Sequence, residues 1–143
     1  MKTLKLFVLL LSLLIAFGTA YAKSKPDDGI FTKTHAIDTY VDAVTRGKLD
    51  GFDEVLDPSA KFTTLKANKR LVSYNKNEML GFLSKIKNVE ENCTTNTAII
   101  ENTADMIVVK VDMQFESFTR SNYVSVANTG NGWKIINVYS VFN

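Results

Sequence analysis

The order of elements along the chain constrains its fold more than any single residue does. A helical half comes first, and β-rich runs follow that close on Gly130-Asn131-Gly132-Trp133-Lys134-Ile135. Consecutive elements tend to pack on one another. The order therefore points to an α+β domain in which one curved sheet wraps around a few helices, a shape suited to enclosing a pocket.

Helical periodicity starts at Thr34. Ala36, Ile37, Tyr40, Val41 and Val44 recur at spacings of three and four, with Asp38, Asp42 and Arg46 on the other side. Gly47 reads as the C-cap. A short second helix is expected over Asp50–Leu56, with Phe52, Val55 and Leu56 inward and Pro58 ending it. Asn75 and Glu78, three apart, form a capping-box pair for a third helix. Its apolar set is Met79, Leu80, Phe82, Leu83 and Ile86.

Between these helices, Ala60–Lys66 alternates as a strand with Phe62 and Thr64 on one face, and Arg70–Tyr74 returns after a turn at Ala67-Asn68-Lys69. Four longer β runs follow, beginning with Cys93–Ile100. Met106–Ser117 alternates strictly, setting Ile107, Val109, Val111, Met113 and Phe115 against Lys110, Asp112, Gln114 and Glu116. Thr119-Arg120-Ser121 reads as a connection to a strand at Asn122–Asn128, and Thr129-Gly130-Asn131-Gly132 as a tight hairpin turn. The closing strand, Trp133–Phe142, is apolar on both faces: Trp133, Ile135, Tyr139 and Val141 oppose Ile136, Val138 and Phe142. An antiparallel strand ordinarily keeps one wet face, so a second cover is expected. A homodimer through the sheet face supplies it, in which a charge at Ile136 or Val138 breaks the dimer.

Residues 1–22 read as a cleavable export signal, with Lys2 and Lys5 ahead of the apolar run Leu6–Phe17 and Ala20-Tyr21-Ala22 at the cleavage site. Residues 23–33 form a flexible lead-in and residues 34–143 one domain. The expected location is periplasmic or secreted, with no membrane segment after cleavage. Taking 22 from the 143 residues leaves 121, enough for a core without disulfides, and Cys93 is the only cysteine. Cys93 is expected as a small buried hydrophobe. The signal carries two of the 17 basic residues and no acid, so the remainder balances 15 against 15. That neutrality argues against nucleic acid as a partner. The cluster Lys66, Lys69 and Arg70 reads as a solvated hairpin tip.

The stretches Ala36–Leu56, Tyr74–Ile86 (with Asn77-Glu78-Met79-Leu80) and Gly130–Ser140 together resemble the nuclear transport factor 2-like superfamily. Within it the chain is most similar to exported bacterial proteins grouped as a putative lumazine-binding, or SnoaL-like, family. The resemblance spans Thr34 to Asn143 and rests on packing and turn motifs. It implies a cone-shaped fold, often with a hydrophobic pocket open at one end, and often a dimer. The superfamily includes isomerases, dehydratases, cyclases and binding domains, and fold does not choose among them.

The residues speak more for binding than for catalysis. His35, the one histidine, opens the first helix ahead of its apolar face and reads as a surface position. Asp112 shares the outer face with Lys110; Asp38, Asp42, Asp53 and Glu54 read as solubilising charges. No acid–base pair falls on a pocket-facing position, no nucleophile elbow occurs, and one histidine with one cysteine makes no typical zinc site. No glycine-rich loop follows a strand to cradle a phosphate. No catalytic residue, cofactor or metal is therefore assigned. Tyr40, Phe62, Tyr74, Met79, Phe82, Met113, Phe115, Tyr123, Trp133 and Tyr139 either line an apolar cavity or fill the cone. The ligand contacts expected are Tyr40, Phe62, Met113 and Phe115, with Asn137 and Tyr139 as polar partners. A β-bulge would exchange the facing of that last pair. The leading expectation is an exported non-catalytic domain that binds a small, apolar or aromatic ligand or a protein. The alternative is an isomerase, dehydratase or cyclase acting on an apolar ring.

Overall fold

Thr32 caps the first described helix: its Oγ1 accepts a hydrogen bond from the His35 amide at 3.0 Å. The computed structural model describes residues 32–143. The export signal and nearly all of the lead-in lie outside the described residues. Helix α1 (Lys33–Arg46) buries Ala36, Ile37, Tyr40, Ala43 and Val44. It ends at Gly47, whose φ of 62° is the left-handed turn expected of that glycine. Helix α2 (Phe52–Val55) buries Phe52 and Val55. It stops before Pro58, because Leu56 is already extended and opens strand β1 (Leu56–Leu65). Pro58 instead falls in an irregular stretch of β1, where register against its neighbour slips between Leu56 and Lys61.

Strand β2 (Leu71–Asn75) pairs with β1 and runs directly into helix α3 (Lys76–Ser84). The capping box forms: the Glu78 amide donates to Asn75 Oδ1 at 3.0 Å and the Asn75 amide donates to Glu78 Oε2 at 2.8 Å. Leu83 is buried and Met79, Leu80 and Ile86 pack on the core, but Phe82 faces solvent. At this short helix only one narrow stripe meets β1 and β2, and Phe82 lies beside it.

Strands β3 (Thr94–Asn102), β4 (Met106–Gln114), β5 (Thr119–Asn128) and β6 (Trp133–Phe142) complete a six-stranded sheet in the order β2-β1-β6-β5-β4-β3. Every pairing is antiparallel except β1 with β6. The sheet curves around α1, which packs against β4, β5 and β6. Thr119-Arg120-Ser121, expected as a connection, is the start of β5; the turn is Phe115–Phe118, closed by the Phe115 amide donating to the Phe118 carbonyl at 2.9 Å. Cys93 precedes β3 and is only partly buried.

One bulge decides the facing of β6. Ser125 pairs with Asn137 and Val126 with Ile135, so Ile136 is an extra residue. Ile135 and Val138 consequently both point into the core, at 0% and 1% exposure, although simple alternation separates them. Val138 is thus a core residue, and a charge there tests folding rather than a dimer face. Nineteen apolar residues form a continuous core between α1, α2 and the concave face of the sheet. Burying one Val- or Phe-sized side chain in it contributes about 1.5–3 kcal/mol.

Candidate functional site

Strand register places the concave side chains in rows across the sheet. Ile99, Val109, Val124, Val138, Phe62 and Tyr74 make one row; Thr97, Val111, Asn122, Ser140, Thr64 and Val72 make the next. Thr95, Met113, Arg120 and Phe142 make the last. The first is nearly all hydrocarbon and aromatic. Polarity enters in the second, at Asn122 and Ser140, and charge appears only in the third, at Arg120.

These polar groups form one network. Asn122 is wholly buried, and its Oδ1 accepts from Ser140 Oγ at 2.7 Å and from Arg120 Nε at 3.0 Å. The Asn122 amide nitrogen donates, at 3.5 Å each, to the Val111 carbonyl and Met113 Sδ. A buried amide between apolar strands demands such partners. The i, i+2 spacing of Arg120 and Asn122 on one strand puts both on the same face. Tyr40 approaches from α1, 1% exposed, with its ring 6.4 Å from that of Phe52. Burial pushes its phenol up from 10.0 to about 12, while the nearby Arg120 charge pulls the other way. Tyr40 therefore stays a neutral hydrogen-bond donor. At the rim, Phe115 stacks on Phe118 with centroids 4.5 Å apart, and Phe118 tilts against Phe142 at 5.9 Å. Phe118 and Phe142 are 40% and 50% exposed, so this rim faces solvent.

The expected contacts divide between two faces. Tyr40, Phe62, Met113 and Phe115 gather on the concave side. Asn137 and Tyr139 lie on the convex face, opposite Ser125 and Tyr123 of β5 and beside Lys61 and Thr63 of β1. The concave polar residue of β6 is instead Ser140. Arg120, Asn122 and Ser140 were not expected on the concave face. Their signal is the alternation Arg120-x-Asn122-x-Val124-x-Val126, legible once β5 starts at Thr119 rather than Asn122.

Asp112 lies on the outer face, as its alternation implies, and it is engaged there. Ser121 Oγ donates to Asp112 Oδ1 at 2.6 Å and Lys110 Nζ pairs with Oδ2 at 2.9 Å. The Ser121 bond, then Lys110, holds that carboxyl below its ordinary value. His35 is partly buried on α1, its ring 3.4 Å from Thr39 Oγ1. Asp38, Asp53 and Glu54 are exposed, and Asp53 pairs with Lys76 at 2.9 Å. Lys66 and Arg70 line an open depression at the β1–β2 tip with Ala67, Asn68 and Val72.

A bent, six-stranded mixed sheet curled on its N-terminal helices is the architecture of the nuclear transport factor 2-like fold. A protein of that type and unknown function from Silicibacter pomeroyi superposes with a TM-score of 0.60 at 16% identity, over 77% of this chain and 92% of its own. One from Cytophaga hutchinsonii gives 0.57 at 14% identity, over 76% and 93%. A protein described as a putative aromatic ring hydroxylase from Novosphingobium aromaticivorans gives 0.54 at 14%, over 83% and 92%. No functionally curated protein matches the chain. Residues 32–140 match the model of the family described as "Putative lumazine-binding", and the chain belongs to that family.

Proposed function

We propose that the chain is an exported, non-catalytic domain that binds a small ligand at the open end of the cone. The observation that carries this reading is the composition of the concave face. A neutral floor of Tyr40, Met113, Asn122 and Ser140 offers sparse, fixed polar groups within apolar walls, the usual make-up of a ligand site. The register rows of that face contain no carboxylate or imidazole. Tyr40 and Arg120 can donate to a ligand oxygen, and among the residues of these rows none accepts a proton near neutral pH. That weighs against the isomerase, dehydratase or cyclase alternative.

Native mass spectrometry of the chain recovered from its exporting host tests the reading. A reproducible small-molecule adduct, lost on denaturation, is the expected result. A bare species under gentle desolvation, with no thermal shift against a panel of ring compounds, refutes it. Conversion of a bound compound on incubation moves the assignment to the catalytic alternative.

The same proposal retains self-association through the convex sheet face. Tyr123 and Tyr139 sit opposite each other there, partly buried, with Thr63 alongside. Tyr139→Glu is expected to shift the sedimentation coefficient to that of a single chain; an unchanged profile refutes the dimer.

A further inference from the structure

We infer that the ligand carries a carboxylate on an aromatic ring, with Arg120 receiving the carboxylate and the Phe115–Phe118–Phe142 rim receiving the ring. The inference rests on the ligand-binding reading above. Its starting point is an imbalance of charge. Arg120 is partly buried on the concave face and is the one charged residue in the three rows described. The α1 residues buried against that face, Ala36, Ile37, Tyr40, Ala43 and Val44, carry no acid. Among the described residues Arg120 forms no ion pair.

Geometry then narrows the anion. Asn122 Oδ1 holds Nε at 3.0 Å and is itself fixed by Ser140 at 2.7 Å. The guanidinium is thereby anchored through one edge, and its terminal nitrogens are left for a second partner. A guanidinium fork matches a carboxylate, two nearly parallel N–H···O bonds in one plane. The floor beneath it competes poorly: Asn122 and Ser140 are already bonded to each other, and Tyr40 remains a neutral donor, able to add a bond to an anion. Immediately across the strand pair from Arg120 stands Phe142, which leans on Phe118, which stacks on Phe115. An aromatic ring attached to the carboxylate would lie against that wall at offset-stacking distances.

The probes are benzoate, its neutral isostere benzamide, acetate, and the uncharged fluorophore N-phenyl-1-naphthylamine. Binding is read by titration of the chain with amide and arginine Nε–H resonances recorded together. The chain has three arginines, Arg46, Arg70 and Arg120, so the Arg120 signal is identifiable. Benzoate is expected to shift Arg120 Nε–H and the Asn122 side-chain amide, and to bind at least tenfold more tightly than benzamide or acetate. Arg120→Gln is expected to abolish that preference. Asn122→Asp, which turns a carboxylate on Arg120 from within, is expected to abolish the benzoate preference with the guanidinium still present. Far-UV circular dichroism confirms folding of each variant.

Benzoate no tighter than benzamide, with both shifting Asn122, overturns the carboxylate inference and leaves the ligand site standing. So does full benzoate preference in either folded variant. If no probe, the fluorophore included, perturbs Asn122 or Arg120, the ligand-site reading fails and the inference with it.

Discussion

The hydrogen bond between Ser140 and Asn122 is the connection on which the concave network turns, and a double-mutant cycle measures it. Ser140 is 4% exposed and Asn122 is fully buried. Asn122 Oδ1 has two donors, Ser140 Oγ and Arg120 Nε. Ser140→Ala removes one of them and leaves the oxygen bonded to Arg120. Its cost is that of one net hydrogen bond, about 1 kcal/mol. Asn122→Ala removes both bonds, opens space the size of a carboxamide, and strands the buried Ser140 hydroxyl. An orphaned buried hydroxyl costs about 1–3 kcal/mol, so the expected total is about 2–4 kcal/mol. In the double variant no hydroxyl remains to be stranded. The pair should therefore cost less than the sum of the singles by about 1–2 kcal/mol. Equilibrium urea unfolding at unchanged m-value reads all four corners of the cycle. Additivity within about 0.3 kcal/mol would refute the claim that the two side chains share one bond.

Two glycines separate backbone strain from crowding. A Cβ at Gly47 would lie 2.7 to 2.9 Å from backbone atoms of Asn88, Ile86 and Val89, at φ +62°, whereas Gly51 has φ +75° and open space around it. Gly51→Ala is expected to cost about 1 kcal/mol, and Gly47→Ala at least about 2 kcal/mol more; equal midpoint shifts in denaturant would contradict the crowding. The raised Tyr40 phenol gives an alkaline limb: stability it contributes is complete below pH 10 and is lost as pH climbs from 10 towards about 12. Tyr40→Phe should flatten that part of the wild-type profile, and parallel urea midpoints at pH 8 and 11 in both proteins would count against it. Asp112 gives the acid limb, contributing stability above the usual carboxylate range that fades as pH falls through its depressed value. Ser121→Ala removes the largest cause, so the Asp112 carboxyl carbon should titrate at higher pH; an unmoved midpoint would assign the depression to Lys110 instead.

How much of this could be read from the chain depends on the range of the interaction concerned. The capping box at Asn75 and Glu78, the left-handed Gly47 and the Gly130–Gly132 turn are set by contacts within a few residues, and each stands where its side-chain chemistry puts it. Strict alternation likewise fixed the two faces of β4, with Ile107, Val109, Val111 and Met113 inward and Asp112 outward. Such local rules were enough for the α+β cone and its family resemblance.

The concave face was legible in part. Tyr40, Phe62, Met113 and Phe115 follow from apolar periodicity, because a concave face selects large apolar side chains from helix and strand alike. Asn137 and Tyr139 went to the opposite face, and Ser140 to the inner one, because one bulged residue at Ile136 offsets the two halves of β6. Nothing in Ile136 itself marks it as the extra residue; the bulge arises where a long strand must pair with β5 on one side and β1 on the other while the sheet bends. Arg120 escaped for a related reason. Its neighbours Thr119 and Ser121 have the composition of a turn, and only pairing with Gln114, Asp112 and the chain end at Asn143 draws them into β5. By itself the sequence determined which segments are helix, strand and turn, since that information is stored within a few residues. Tertiary structure alone decided that an arginine, an asparagine and a serine from two strands share one hydrogen-bond network, since facing is set by register, and register is a property of the whole sheet.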